Sequence, residues 1–125
     1  MATTILTGET IGAAVKDNDI VLVDFWATWC PPCRMFGPVF ERASQHHTDV
    51  VFGKVDTEAE QELAAGLGIM SIPTLMAFRE QVLVYARPGA LPDAVLEELI
   101  TKVKELDMDE VRRQIDAAPA TQGSR

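Results

Sequence analysis

The sequence predicts an α/β protein with a central mixed sheet flanked by helices, and three observations support this. Apolar, β-branched runs at 20–26 and 50–56 enclose a stretch of helical periodicity, which is typical of a strand–helix–strand unit with parallel strands. Two later runs, 74–78 and 82–85, are close enough to form an antiparallel hairpin. The chain has 125 residues, enough for one core, and no apolar run near the ~20 residues that span a bilayer.

Strands and helices alternate in the first half of the chain. A short edge strand is predicted at 3–6 and a weak helix at 9–16. The run 20–26 is nearly all β-branched, apolar or aromatic, which predicts a central strand. From Cys33 the spacing is that of a helix, and one face would be formed by Cys33, Phe36, Gly37, Phe40, Ala43 and His47. Pro38 lies inside this helix, where it removes one backbone hydrogen bond and should kink the helix.

The second half begins with a strand at 50–56 and a helix at 58–65 that two nearby glycines stop. The hairpin follows, and its connection, 79–81, lacks the usual Asn-Gly signal, so the turn type stays open. Pro92 opens another helix. We expect the buried stripe of this helix to be formed by Val95, Leu96, Leu99, Ile100, Val103 and Leu106.

We predict that residues 1–107 form the main domain and residues 108–125 a helical extension with a frayed tail. Asp107 and Glu110 have the spacing of a capping box, with Asp in place of Ser or Thr. Residues 119–125 are small and polar and are expected to fray. The apolar side of the extension would be formed by Met108, Val111 and Ile115.

The charge balance excludes one class of partner. There are 11 Lys and Arg residues against 19 Asp and Glu residues, a net charge of −8, whereas nucleic acid binding needs a basic patch. The acidic balance is typical of a solubilising surface. The N-terminal residues show neither a positive n-region nor an apolar h-region, so no signal peptide is visible and the cytoplasm is the expected compartment.

The motif that carries chemistry is Trp29-Cys30-Pro31-Pro32-Cys33, which contains the only two cysteines of the chain. It follows the predicted central strand and opens a helix. Two thiols at this spacing can close a small disulfide ring. The partial positive charge of the helix N-terminus stabilises a thiolate at the first cysteine, and the second can resolve a mixed disulfide. In the cytoplasm such disulfides are normally transient and catalytic.

Other interpretations of Cys30 and Cys33 are a structural disulfide, inert core thiols or metal ligands. A closed zinc site needs four ligands. The available histidines, His46 and His47, are more than a dozen residues away, so we expect no metal site. Both histidines end a helix, where a cation is favourable, and we expect them to be solvated.

The two prolines between the cysteines have consequences for the nucleophile. Neither Pro31 nor Pro32 has an N–H, so the amide of Cys33 is the expected donor to Cys30. Pro32 biases Pro31 away from helical angles, which predicts that the regular helix begins at Pro32 or later. The lost donor disfavours the thiolate, while a stiffer loop could hold the thiols closer, and the sequence leaves the net effect on the potential open.

Asp24 is a carboxylate inside the apolar central strand. Burial would disfavour its charged form and raise its pKa, which suits a general base for the thiol of Cys33. The alternative is a strand-end residue bonded to backbone. Lys54, on the neighbouring predicted strand, could pair with Asp24 or could simply be solvated.

Several of these features together resemble the thioredoxin family. The match covers roughly residues 3–106, and its specificity lies in the order of its motifs: strand, Trp-Cys-x-Pro-Cys, internal helix proline, then Ile-Pro-Thr. The residues that carry it are Trp26-Ala27-Thr28-Trp29-Cys30-Pro31-Pro32-Cys33-Arg34, Pro38, Lys54-Val55-Asp56, Ile72-Pro73-Thr74 and Pro88-Gly89-Ala90.

The resemblance implies a thioredoxin fold and a role for each matched residue. Cys30 would be the exposed nucleophile and Cys33 the buried resolving thiol, with a redox-active disulfide between them. Asp24 would be the buried carboxylate beneath the disulfide and Lys54 its neighbour. Pro73 would be a cis-proline that presents the backbone of the preceding residue to a substrate strand. The contact surface around the disulfide would be formed by Trp29, Pro32, Ile72, Pro73, Gly89 and Ala90.

The function expected from the resemblance is that of a cytosolic thioredoxin, a monomeric protein-disulfide reductase. A flavin-dependent thioredoxin reductase would recycle it with NADPH, and it would need no bound cofactor, nucleic acid or membrane. The sequence departs from the family pattern in the Pro31-Pro32 dipeptide, in a missing hairpin glycine and in the segment beyond Leu106. The dipeptide leaves a tryparedoxin-like specialised donor, an oxidant or an isomerase as alternatives, and a redox-independent binding module is a further one.

Overall fold

A computed structural model describes residues 2–117 of the chain. No helix in that range is long and apolar enough to cross a membrane. In chain order the helices and strands are β1 (Thr3–Ile5), α1 (Ile11–Asp17), β2 (Ile20–Trp26), α2 (Pro31–His46), β3 (Val51–Asp56), α3 (Gln61–Gly66), β4 (Thr74–Arg79), β5 (Val82–Pro88), α4 (Asp93–Glu105) and α5 (Met108–Ala117).

The strands form one mixed sheet in the order β1-β3-β2-β4-β5. Strands β1 and β2 both run parallel to β3, and β4 runs antiparallel to β2 and to β5. The predicted parallel half and antiparallel hairpin are therefore confirmed, with β1 at one edge. The register sets Asp24 of β2 opposite Lys54 of β3 on one side and Leu75 of β4 on the other.

The central strand separates two apolar layers because successive side chains point to opposite faces of the sheet. Leu22 packs with Phe36 and Phe40 of α2 and with residues of α4. Val23 and Phe25 belong to the other layer, against which α1 and α3 pack. Residues 20–25 are all buried, which is what a strand without a polar face predicts.

Helix α2 begins at Pro31, so the prediction that it begins at Pro32 or later is wrong. Cys30 is the N-cap and has an extended backbone, with φ −97° and ψ 110°. Both prolines then occupy the first turn, where a fixed φ suits the helix and no N–H is needed. Pro38 lies inside the helix as predicted.

Two helices begin later than the sequence predicts because side chains hold the preceding turns. Ahead of α1, the backbone N–H of Thr7 donates to Oγ1 of Thr10 at 2.9 Å. Ahead of α3, Oδ1 of Asp56 accepts from the N–H groups of Glu58 and Ala59 at 2.9 and 3.4 Å. Local hydrogen bonds of this kind compete with the first turn of a helix.

The hairpin between β4 and β5 turns through Glu80 and Gln81, which have φ values of 51° and 71°. Positive φ at both central residues is what a two-residue hairpin of type I′ requires, and glycine or asparagine normally supplies it. This chain makes the turn without glycine.

Helix α4 buries Leu96, Ile100 and Val103, as predicted, but Val95 is 44% exposed and does not belong to the stripe. In α5, Met108 is buried, whereas Ile115 is 52% exposed, so the predicted apolar side is only partly covered.

The N-terminus of α5 has half of the predicted capping box. Oδ1 of Asp107 accepts from the N–H of Glu110 at 3.2 Å. The carboxylate of Glu110 pairs with Arg113 instead of reaching back. The predicted tail, 119–125, lies outside the described residues, and the division at 107 stays a prediction.

Candidate active site

Cys30 and Cys33 form a disulfide at the start of α2, with their Cα atoms 5.2 Å apart. The loop from β2 brings Cys30 to the N-cap position, and the N–H of Cys33 donates to Sγ of Cys30 at 3.2 Å. The predicted donor is thus confirmed. This contact places the first sulfur at the positive end of the helix dipole, where a thiolate is favoured.

The expectation that Cys30 is the exposed member of the pair is wrong for this oxidised form. Cys30 is 2% exposed and Cys33 is 3% exposed. Sγ of Cys30 lies 3.7 Å from the carbonyl oxygen of Ile72 and is bonded to Sγ of Cys33 in α2.

The bond between Ile72 and Pro73 is cis, as the resemblance implied. Pro73 is buried and directs the carbonyl of Ile72 toward Cys30. The carbonyl of Pro73 accepts from the N–H of Gly89 at 2.8 Å. Gly89 follows the end of β5 and has a φ of 111°, and both Gly89 and Ala90 are exposed.

An open groove of about 450 Å³ lies against the disulfide. Its walls include Met70, which is 93% exposed, and Trp29, which is 62% exposed. Sequence reasoning missed the part of the groove that α3 and the following loop supply. The only signal was that this loop directly precedes Ile72. The groove is lined by Trp29, Cys30, Pro31, Pro32, Thr57, Ala64, Ile69, Met70, Ser71 and Ile72.

Asp24 is fully buried, and among the described residues neither of its carboxylate oxygens has a hydrogen-bond partner. The alternative of a carboxylate bonded to backbone is therefore wrong. Burial raises the pKa of Asp24 to about 6, and the nearby charge of Lys54 partly opposes that rise. Nζ of Lys54 lies 3.7 Å from Oδ2, an ion pair longer than a hydrogen bond.

Lys54 is not a freely solvated lysine. Its side chain is 25% exposed, and its Nζ lies 5.0 Å from the ring centroid of Trp26. A Cβ added at Gly37 would be 3.6 Å from the same Nζ, so the ammonium lies against α2 about one turn beyond Cys33. The ammonium of Lys54 therefore lies between the buried carboxylate of Asp24, the ring of Trp26 and the backbone of α2 at Gly37.

His47 does not have the solvated position that the sequence predicted. Its side chain is 15% exposed, and Nε2 lies 2.7 Å from Oε1 of Glu97 while Nδ1 lies 3.0 Å from Nζ of Lys104. His46 is 69% exposed, as expected. Within residues 2–117, no three His, Cys, Asp or Glu side chains form a group that could hold a metal ion.

Comparison with known proteins gives a consistent result. The family model described as Thioredoxin matches residues 2–102. "Putative thioredoxin 2" of Streptomyces coelicolor is 56% identical over 118 residues, which cover 94% of this chain and 88% of that protein. "Thioredoxin" of Bacillus subtilis is 38% identical over 103 residues, 82% of this chain and 98% of that protein.

Solved structures agree with these sequence matches. A mutant thioredoxin from Halobacterium salinarum is 35% identical, with a TM-score of 0.77 over 83% of this chain and 92% of that one. Plasmodium falciparum thioredoxin is 34% identical, with a TM-score of 0.74 over 80% and 98%.

Proposed function

This chain belongs to the thioredoxin family, and we propose that, as a dithiol/disulfide oxidoreductase of that family, it works as a general reductase of protein disulfides. The observation that carries the proposal is the disulfide of Cys30 and Cys33 across the first turn of α2. The helix N-terminus and the N–H of Cys33 both favour negative charge on Cys30, which the attacking thiolate requires.

The reaction passes two electrons from the dithiol to the substrate. In the reduced protein, the Cys30 thiolate attacks one sulfur of a substrate disulfide, and the other substrate sulfur leaves as a thiolate that takes a proton. Cys33 then loses its proton and attacks Sγ of Cys30. The bond between Cys30 and the substrate breaks, the second substrate thiolate takes a proton, and the protein disulfide is formed.

We assign the proton transfer at Cys33 to Asp24, with Lys54 as its modulator. With its pKa raised to about 6, Asp24 can be ionised near neutral pH and still be basic enough to take a proton. Lys54 favours the charged carboxylate because its ammonium is 3.7 Å away. Its partial exposure gives the proton a route to solvent.

Substrate binding is assigned to the surface around the disulfide. A substrate strand would pair with the backbone of Ile72, next to the cis-proline Pro73, as in strand addition to a sheet edge. Trp29 and Pro32 support this assignment because both border the groove beside Cys30. On the other side of Pro73, the exposed residues Gly89 and Ala90 would contact the substrate.

The proposed partners are disulfide-containing proteins and an NADPH-dependent thioredoxin reductase that regenerates the dithiol. We propose that the protein acts as a monomer in the cytoplasm, without a bound cofactor, metal, nucleic acid or membrane. The net charge of −8 supports the absence of nucleic acid from this set.

Insulin-disulfide reduction with NADPH and a thioredoxin reductase tests the proposal. The wild-type protein should reduce insulin. Cys33→Ser should accumulate mixed disulfides with substrate because the resolving thiol is gone, and Cys30→Ser should be inactive and trap little. Reduced protein in which both thiols are alkylated at the same rate would contradict the assigned roles.

A specialised dithiol donor is the second candidate, and the two prolines favour it. With no N–H at Pro31 or Pro32, the first turn of α2 offers Sγ of Cys30 one backbone donor, the N–H of Cys33. Rapid reduction of a thiol peroxidase together with slow reduction of insulin would favour this candidate. A double Cys30→Ser, Cys33→Ser variant that still supports a partner's function would favour a binding module instead.

A further inference from the structure

Met70 lies on the loop between α3 and β4, two residues before the carbonyl that faces Cys30, and it is 93% exposed. It lines the groove beside the disulfide and also a second groove, of about 270 Å³, that extends to the end of β5. We propose that Met70 is a site of oxidation by hydrogen peroxide, and that its sulfoxide weakens the docking of protein disulfides to the groove beside Cys30.

The backbone on both sides of Met70 is fixed, so its exposure is a constant feature of the fold. The N–H of Ile69 donates to the carbonyl of Ala64 at 2.9 Å, at the C-terminus of α3. On the other side, the hydroxyl of Thr74 donates to the carbonyl of Ser71. Ile69 packs against the apolar layer on this face of the sheet, whereas Met70, between the two anchored positions, stays in solvent.

Met70 differs from the other methionines in residues 2–117 because it combines exposure with a place in the groove. Met76 and Met108 are each 5% exposed. Met35, on α2, is 73% exposed but does not line either groove. Oxidation needs access of peroxide to the sulfur, and an effect on docking needs that sulfur to border the groove. Of these four methionines, Met70 alone meets both conditions.

The reaction is a two-electron oxygen transfer that needs only the peroxide. The sulfur lone pair attacks one oxygen of hydrogen peroxide, the O–O bond breaks and an S–O bond forms. The other oxygen leaves with both hydrogens as water, so the thioether is oxidised to the sulfoxide and the peroxide is reduced. The closed disulfide protects Cys30 and Cys33, because neither sulfur is then a thiolate that peroxide can oxidise.

The sulfoxide changes the groove because it places a polar oxygen in a largely apolar wall. The neighbours of Met70 in that wall include Pro32, Ile69 and Ile72. An apolar substrate side chain gains by burial against the thioether. Against the sulfoxide, the same side chain removes water from an oxygen and offers no hydrogen bond in return. Docking therefore weakens, while the thiol chemistry at Cys30 is unaffected.

This inference rests on the proposed reductase function, but its first test needs no substrate. The protein with its disulfide closed is treated with hydrogen peroxide, and peptide mass spectrometry follows the gain of one oxygen at each methionine. Met70 and Met35 should be converted early, and the buried Met76 and Met108 far later. Conversion of Met70 no faster than that of Met76 would overturn the assignment of the site.

The second test measures insulin reduction after the peroxide has been removed, and each variant is compared with itself before and after treatment. The KM of the wild-type protein for insulin should rise about three- to tenfold, the worth of part of one buried apolar side chain, with kcat little changed. Met70→Leu has an apolar side chain of similar volume that peroxide does not oxidise, so its KM should not change on treatment. The matched control is Met35→Leu, whose KM should rise as that of the wild type does.

An equal rise of the KM in Met70→Leu would place the effect elsewhere and overturn the proposal. So would an unchanged KM in wild-type protein whose Met70 is fully converted. After reduction of the disulfide, iodoacetamide should alkylate Cys30 equally fast in treated and untreated protein. A slower rate would also count against the proposal, because the effect would then lie in the chemistry rather than in docking. A wild-type protein that does not reduce insulin would contradict the proposed function, while the mass spectra would still decide whether Met70 is the oxidised site.

Discussion

Replacing the buried carboxyl of Asp24 by an amide should stabilise the oxidised protein, by an amount that depends on pH. Asp24→Asn keeps the shape of the protonated acid and removes the possibility of ionisation. Burial raises the pKa from its ordinary value of 3.8 to about 6. At about 1.36 kcal/mol per pKa unit, that difference corresponds to a destabilisation of the ionised form of about 3 kcal/mol.

The sign of the pH dependence follows from the raised pKa of Asp24. Below pH 3.8 the carboxyl is protonated in both the folded and the unfolded chain, so ionisation costs the fold nothing. Between pH 3.8 and about 6 the unfolded carboxyl ionises while the folded one keeps its proton, and stability falls as the pH rises. Above about pH 6 both are ionised and the full cost remains.

Urea unfolding of the oxidised wild-type protein and of Asp24→Asn, across this pH range, measures the effect. The two free energies of unfolding should nearly coincide at about pH 4 and differ by about 3 kcal/mol in favour of the variant at about pH 8. Asp116→Asn removes an exposed carboxylate and is the matched control. A difference for Asp24→Asn that does not change with pH would refute the reasoning, since it would come from packing.

Three further predictions follow from local structure. Pro32→Ala restores an N–H at the second helical position, and such an N–H can donate to the side chain of the N-cap residue, Cys30. Cys30 of the reduced protein should therefore be alkylated faster than in wild type and faster than in Pro31→Gly. Equal alkylation rates in the two variants would contradict this. Gln81→Gly should raise stability by about 0.5–1 kcal/mol, because φ is 71° there, whereas the same change at helical Gln45 should lower it by about 1 kcal/mol. Truncation after Leu106 removes the buried side chain of Met108 and the half-buried side chain of Val111. The free energy of unfolding should fall by about 2–4 kcal/mol, and insulin reduction should be retained. A truncated protein that is folded by circular dichroism but no longer reduces insulin would show that α5 belongs to the active site.

The elements that the sequence predicts best are those in which a single physical demand acts on every residue. Strand β2 has the predicted bounds, Ile20–Trp26, because it is buried on both faces and each position needs an apolar or β-branched side chain. The starts of α1 and α3 were placed too early because the hydroxyl of Thr10 and the carboxylate of Asp56 hold turns ahead of them. Apolar periodicity carries no information about such hydrogen bonds.

The site was predictable where its chemistry is local in sequence and less so where it depends on contacts between distant segments. The disulfide and its single backbone donor follow from the spacing of Cys30 and Cys33. The environment of His47 does not, because its partners Glu97 and Lys104 lie on α4, 50 and 57 residues away. The hydrogen bond from Nε1 of Trp29 to Oε2 of Glu58, 29 residues away, was missed for the same reason.

The missing hairpin glycine and the segment beyond Leu106, two departures from the family pattern, are physically connected. The hairpin must turn through Glu80 and Gln81 at positive φ, a conformation that side chains disfavour. The structure compensates through contacts from outside the hairpin. The N–H of Glu80 donates to the carbonyl of Asp19 at 2.7 Å, and its carboxylate pairs with Arg112 of α5 at 2.7 Å. Helix α5 thus holds the turn that lacks glycine.

Arg79, at the end of β4, ties the same turn to α4. Its Nη1 donates to the carbonyls of Val103 and Lys104 at 2.7 and 3.1 Å, near the C-terminus of α4, where a cation is favourable. The Thioredoxin family match ends at residue 102, before α5, whereas the match to the Streptomyces relative covers 94% of the chain and therefore includes α5. A helix that supports the far end of the hairpin can stabilise the sheet without taking part in thiol exchange. This accounts for an extension that carries no redox chemistry of its own.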